Sequence, residues 1–430
     1  MHIHSRANFL WFDLLERIIT EHVPCCRGLA MDSSQHSEEL LYTHPINKAL
    51  IKNDRNPLLK MLKFVLVLFY LIFYSSLVQR PRILYQQSKH NLSIVKSIRV
   101  FNARFWPFFI YGFGYLQSKL YQFRPTHARS YKQLFVKARD GEMIEIDLYE
   151  KDTSPPLPET ERCNKAPETQ EVSDSVLNNV LLVHGFNGSS RSTYIKSLAY
   201  YLRGHRVFAF NARGILSELR TPRFFHIGWT EDLEDVVQYI LDNYKGSVFL
   251  VGFSMGSSWV TNYLARADDP RVVAGVGVCV PFNFYKINNI FRSTLKARLL
   301  AGEYRKYLGK HAVFKSYKFN FSSVEEIDRN LTLKVFGFLS CDEYYQRESC
   351  EEKLMNIKKP ALFINTRDDP IIPYHTIPTE KIKKNPNLIL CVVRAGGHLG
   401  FLGANWYKSF ADEAIVDFLA AVERQHMHTT

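Results

Sequence analysis

Much that would steer a chain of this size toward familiar classes is missing from it. No zinc-finger spacing, no RNA-recognition signature and no dense run of Lys or Arg occurs, which argues against a nucleic-acid binder. Cysteine is scarce and odd in number: seven, at Cys25, Cys26, Cys163, Cys279, Cys341, Cys350 and Cys391. Their spacing fits neither a metal site nor a disulfide framework. Cys279 and Cys391 lie in apolar runs and read as small buried hydrophobes, and adjacent Cys25 and Cys26 read as tail thiols rather than acylation sites. No internal repeat is apparent. Residues 1–60 are polar and irregular with no apolar core near the start, so a conventional cleaved signal peptide is not expected. Acid is in short supply as well: 42 Asp and Glu face 55 Lys and Arg, leaving a formal charge of +13. With a hydrophobic segment lying among the basic residues, a membrane surface is the expected partner of that charge.

That segment, MLKFVLVLFYLIFYSSLV, runs from Met61 to Val78 and carries no charge after Lys63. As a helix it would rise about 27 Å at ~1.5 Å per residue, enough to cross a bilayer core once Lys63 snorkels. A single-pass membrane helix of signal-anchor type is therefore expected, in an endomembrane or plasma membrane. Basic residues flank it almost equally, Lys48 to Lys63 before it and Arg80 to Arg99 after it, so charge does not set its orientation. A second apolar stretch, Phe105 to Leu116, is too short to span and contains Pro107, Gly112 and Gly114. It reads as a loop or broken helix packed on the folded domain. The organisation that follows is a polar tail over 1–60, the membrane segment over 61–78, a packing segment over 79–125, and one large domain over 126–430.

Within that domain, Asp140-Gly141 between two alternating runs signals a hairpin. Residues 151–176 are rich in Pro, Glu, Ser and Thr and form a surface excursion. Short apolar strands then alternate with helices. Strands are expected at 179–185, 206–212, 247–253, 273–281, 361–366 and 388–394; helices are expected at 191–203, 232–244, 255–267 and 405–424. The helix at 232–244 has Leu233, Val236, Val237, Ile240 and Leu241 on one face, Thr230 as a possible cap, and acids at its first turn. The pattern predicts a mostly parallel, doubly wound α/β sheet. It breaks at 283–358, a helical, Lys-, Arg-, Tyr- and Phe-rich insertion placed where a cap would sit.

The chemistry centres on FLVGFSMGSSW, which holds G-x-S-x-G as Gly252, Phe253, Ser254, Met255 and Gly256. Alone the pentapeptide is weak, but here it ends a strand and opens a helix, as a nucleophile elbow must. A serine hydroxyl needs a base. Among 15 histidines, His398 stands in the Gly-rich loop RAGGHLGF after the last strand, whereas His375 and His311 fall at less suitable points. The orienting acid should end the preceding strand, where Asp368 and Asp369 are adjacent. Asp369, next to Pro370, is the expected member, leaving Asp368 to bond the turn backbone. The oxyanion hole needs two N–H groups: Met255 supplies one, and Phe186, after His184-Gly185, supplies the other. Gly185, Gly252 and Gly256 give the backbone room. No metal or organic cofactor is required.

With these residues in place the chain resembles the membrane-anchored AB hydrolase 4 family of lipases and esterases. The likeness covers residues 100–424 through ordered blocks: FWPFFIYGFGYLQ, HGFNGSS, FNARG, LRTPRFFHIGWTEDL, GFSMG, DEYYQRESC, DDPIIP and GGHLGF. It implies an α/β-hydrolase fold, a Ser254–Asp369–His398 triad and an N-terminal membrane anchor. It departs from the family at Ser257, where a second glycine is usual, and in the N-terminal block, which lacks the charged or amide residue often found near Gly114-Tyr115-Leu116-Gln117.

The expected function is cleavage of acyl esters of membrane lipids, glycerophospholipids or acylglycerols. A tethered short-chain esterase or thioesterase is the second reading. A non-catalytic receptor or scaffold on the same fold is a distant third, since no triad member is missing.

Overall fold

A computed structural model describes residues 57–427 apart from 109–113, 127–128, 150–176, 293, 318 and 405–408. The polar tail up to residue 56 with Cys25 and Cys26, most of the 151–176 excursion with Cys163, and the start of the closing helix at 405–408 lie outside the described residues. The chain forms two compact units, Met1–Phe73 and Tyr74–Thr430.

The apolar segment is a helix, α1 (Pro57–Leu77), as expected. Among the described residues, however, no helix is long and apolar enough to cross a membrane. The spanning reading is therefore not carried by the helix as described. Val65, Leu66, Phe69 and Ile72 are exposed on it.

The second unit is built on a nine-stranded sheet in the order β1-β9-β8-β7-β6-β4-β5-β3-β2. Its strands are β1 (Arg82–Tyr85), β2 (Lys132–Lys137), β3 (Met143–Tyr149), β4 (Asn179–Val183), β5 (Arg206–Phe210), β6 (Val248–Phe253), β7 (Val272–Val278), β8 (Ala361–Thr366) and β9 (Leu388–Val393). Strands β5 to β9 with β4 are mutually parallel, and antiparallel strands close both edges. The β2–β3 hairpin turns at Gly141, which takes φ +88. The expected strands are all present within a few residues of their limits. β1 was not expected: RILY has no clear alternation, and it becomes a strand only by pairing with β9, far away in sequence.

The central strands are buried on both sides, which explains their unbroken apolar runs. On β4, Leu181 and Val183 enter one core, with α5 (Glu231–Asn243) and α6 (Met255–Leu264), while Val180 and Leu182 enter the other. That second core is covered by α2 (Lys89–Ser97), α4 (Thr193–Tyr201) and α11 (Phe410–Met427). Thr230 does not cap α5 with its side chain. Its backbone is already near helical, and its hydroxyl accepts from Arg266 instead. The Phe105 stretch packs on this body as expected: Phe105 is buried against Phe410, and Pro107 bridges to Gly403. It leads into α3 (Gly114–Leu120).

The insertion between β7 and β8 is helical: α7 (Phe284–Phe291), α8 (Leu295–Gly309), a helical stretch over 324–336 and α9 (Cys341–Glu348). Helix α10 (Thr379–Lys384) follows β8. At the heart of the insertion Asp328 is buried, and Thr332 Oγ1 and Tyr345 OH donate to its two carboxylate oxygens at 2.7 Å each. Burial pushes Asp328 up to about 7. Between about pH 4 and 7 the folded chain thus keeps a proton that the unfolded chain releases, so this residue's contribution to stability shrinks as pH rises through that window. We expect the difference in urea midpoint between Asp328→Asn and wild type to move in favour of the variant as pH rises from about 4 to 7. A difference that stays constant with pH would contradict a buried, protonated Asp328.

Candidate active site

Ser254, Asp369 and His398, with Gly185, Phe186 and Met255, lie at the carboxyl edge of the parallel strands, where this class of sheet places its sites. Strand β6 runs directly into Ser254, and α6 begins at the next residue. Ser254 takes φ +50, ψ −120, a conformation that costs a non-glycine residue about 1–3 kcal/mol. The surroundings enforce it. A Cβ on Gly252 would sit 2.4 Å from the Gly256 carbonyl, and one on Gly256 would sit 2.3 Å from the His184 carbonyl. Ser257 is tolerated after Gly256 because its hydroxyl folds back to donate to the Ser254 carbonyl.

Strand β9 ends in a loop that brings His398 to the serine. Its Nε2 lies 2.9 Å from Ser254 Oγ, and its Nδ1 lies 2.8 Å from Asp369 Oδ2. The Asp369 side chain is fully buried. Its other oxygen accepts from the Ile371 and Ile372 N–H groups at 2.7 and 2.9 Å, which fixes the carboxylate plane. Asp368 faces away from the imidazole and accepts from the Gly396 and Gly397 N–H groups at 3.0 and 2.9 Å. The two neighbours thus divide the work: one addresses the ring, the other holds the loop that carries it. His311 lies elsewhere, accepting from the Leu219 N–H.

The loop after β4 supplies the other wall. Gly185 approaches so closely that a Cβ there would be 2.9 Å from Ser254 Cβ. Gly188 N–H donates to the Gly185 carbonyl at 2.9 Å, closing a turn with Phe186 inside it and Asn187 at φ +56. His184 anchors that turn. It is buried, its Nε2 accepts from Ala212 N–H at 3.0 Å, and its Nδ1 therefore carries the proton it donates to the Gly185 carbonyl at 2.6 Å. Burial pushes His184 down to about 4, so it stays neutral and keeps this pattern at physiological pH. Met255 opens α6, ahead of the first intrahelical acceptor, and its N–H belongs to the orphan set at the helix N-terminus.

A model of the alpha/beta hydrolase fold family matches residues 178–404, the span that contains every one of these groups. The chain belongs to the alpha/beta hydrolase fold family. An abhydrolase domain-containing protein of Dictyostelium discoideum is 30% identical over 335 residues, covering 73% of this chain and 80% of that protein. Phospholipase ABHD3 of Mus musculus is 30% identical over 322 residues, covering 69% of this chain and 73% of its own length. Monoacylglycerol lipase ABHD2 of Mus musculus is 27% identical over 381 residues, covering 80% and 85%.

Two further groups make contacts in this alpha/beta hydrolase site that the sequence did not show, although Cys279 is buried as expected. Cys279, at φ +52 after β7, receives the Leu399 N–H on its sulfur at 3.4 Å. Atoms of Cys279, Asp369 and His398 capable of holding a metal lie within 4.8 Å of one another. Asp369 and the His398 ring already bond each other, however, and burial holds the thiol well above its usual range, so the trio reads as a hydrogen-bonded cluster. The second group is on α3. Ser118 Oγ donates to the Gly114 carbonyl at 2.6 Å and accepts from the His398 N–H at 2.7 Å, while Gln117 accepts from Leu402 N–H. Gly114 must be glycine, since a Cβ would meet the Asp368 carbonyl at 2.0 Å. The N-terminal block is thus a buttress for the histidine loop. Ser118→Ala should lower kcat on a soluble ester about tenfold with KM little changed, and Ser118→Thr should restore most of it. An unchanged kcat would remove Ser118 from the positioning set.

Proposed function

We propose that this chain hydrolyses acyl esters of membrane lipids, glycerophospholipids or acylglycerols, through an acyl-enzyme on Ser254. It is a serine ester hydrolase of the lipase and phospholipase type, and the relatives named for phospholipase and monoacylglycerol lipase activity support that reading. The observation that carries the mechanism is the unbroken line from Asp369 Oδ2 through His398 to Ser254 Oγ, with contacts of 2.8 and 2.9 Å.

In this mechanism Nε2 of His398 takes the hydroxyl proton as Ser254 Oγ attacks the ester carbonyl carbon. Asp369, unable to move, holds the imidazole with Nδ1 protonated and stabilises the imidazolium. The N–H groups of Met255 and Phe186 receive the negative charge that develops on the carbonyl oxygen. The carbon–oxygen bond to the alcohol then breaks, and His398 gives its proton to the leaving alcohol. Water repeats the cycle: His398 takes its proton as hydroxide adds to the acyl carbon, the carbon–Oγ bond breaks, and His398 returns the proton to Ser254 Oγ as the free acid forms.

The lipid class is supported by the apolar, basic insertion beside the site and by the exposed apolar side chains of α1. We place the enzyme at a membrane surface, tethered through the segment around α1. Asn187 is one of four glycosylation sequons with Asn91, Asn320 and Asn330, and either it is unmodified or the catalytic domain faces the cytosol. Asn187 lies in the oxyanion turn, where a glycan would obstruct the cleft. Membranes incubated with wild type and with Ser254→Ala should differ in their lipid profile: wild type alone raises free fatty acid together with lysophospholipid or glycerol. Identical profiles, with soluble short-chain esters still cleaved, would assign the chain to the esterase or thioesterase reading instead.

A further inference from the structure

Helix α8 runs beside the cleft in a way that gives its surface a meaning. At one end Lys296 Nζ donates to the Pro370 carbonyl at 3.0 Å, directly after the triad acid. Two turns on, Glu303 accepts from Asn187 Nδ2 at 3.4 Å, and the Tyr304 ring packs 5.1 Å from Phe186. The helix therefore bridges the acid loop to the oxyanion loop, on either side of Ser254.

Its inward face is conventional: Ala297, Ala301, Tyr304 and Leu308 recur at helical spacing and are buried. The outward face is not. Leu295 and Leu299 stand where a surface helix ordinarily presents polar groups, and they are 70% and 61% exposed. Ile371, on the acid loop beyond the Lys296 contact, adds a partly exposed apolar side chain. Lys296 and Arg298 are exposed and flank the two leucines on either side of the helix, Lys306 continues the outward face, and Glu303 is the one acidic residue of the helix. An apolar stripe edged with long cations is the pattern of a helix that lies in a membrane interface, leucines in the acyl region and cations among the phosphates.

We propose that α8 is the membrane-docking face of the catalytic domain. Leu295 and Leu299 insert into the bilayer, and the flanking cations bind anionic headgroups. The inference rests on the reading that the substrate is a membrane lipid, and it names how that lipid reaches the site: docking on α8 places the cleft between the Pro370 and Phe186 loops against the bilayer surface. The basic edges single out a lipid surface over a second copy of this chain, because two such faces would repel each other.

Amide hydrogen exchange on the full-length protein tests this, with and without vesicles of phosphatidylcholine containing phosphatidylserine. Amides of residues 295–300 should exchange about tenfold more slowly when vesicles are present, and Leu295→Asp/Leu299→Asp should abolish the protection. The same variant should keep soluble-ester turnover within about twofold of wild type while losing about tenfold or more on vesicle lipid. Equal exchange with and without vesicles would overturn the proposal. So would protection that appears without vesicles and grows with protein concentration, which would assign the face to self-association. Because exchange needs no turnover, docking without vesicle-lipid hydrolysis would overturn the lipase reading alone, and hydrolysis without α8 protection would overturn the docking alone.

Discussion

The site depends on one steric constraint, the crowding of backbone around Ser254. Strand β6, the first turn of α6 and the end of β4 meet so closely that side chains at Gly252 and Gly256 would collide with carbonyl oxygens. The chain can pass only by a sharp turn that holds Ser254 at positive φ. That turn lifts the hydroxyl clear of the sheet and aims the α6 N-terminus at the position where an oxyanion would form. It also presses Gly185 against the serine, so the loop after β4 and Ser254 are placed by the same contact. The strain at Ser254 is held by two buried cores that lock β4, β6 and β7 together.

Around that fixed point the mobile chemistry is secured by hydrogen bonds rather than by packing. Asp368 and Asp369 both serve the histidine loop, one through the Gly396 and Gly397 backbone and one through the ring. Ser118 adds a third hold from a helix far earlier in the chain. Neutral His184 performs the equivalent task for the turn over 185–188, and its burial is what keeps it neutral.

How much of this could be read from sequence follows from how local each signal is. Strands buried on both faces appear as unbroken apolar runs, and α5 declares itself by a stripe at helical spacing. The elbow, the Asp368-Asp369 step and the Gly-rich histidine loop are short motifs whose neighbours in sequence are their neighbours in space. Strand β1 left no trace because only β9 makes RILY a strand. The site contacts of Ser118 and Cys279 were unreadable for the same reason: those partners lie more than a hundred residues away. Thr230 illustrates the converse, a residue with the right chemistry for a cap whose hydroxyl is claimed by Arg266. The outward leucines of α8 were visible as letters, but their exposure was not. It takes the fold to show that they face away from the body while Ala297 and Ala301 face in.

The central claim is that Ser254 is a nucleophile made reactive by His398 and Asp369. It is tested most directly by treating the full-length protein with a fluorophosphonate and locating the adduct by tandem mass spectrometry. The account predicts one adduct, on the hydroxyl of Ser254, formed rapidly in wild type and slowed by several orders of magnitude in Asp369→Asn, where the imidazole loses its orienting charge. An adduct on another serine, or labelling of Ser254 at the same rate in Asp369→Asn, would contradict it.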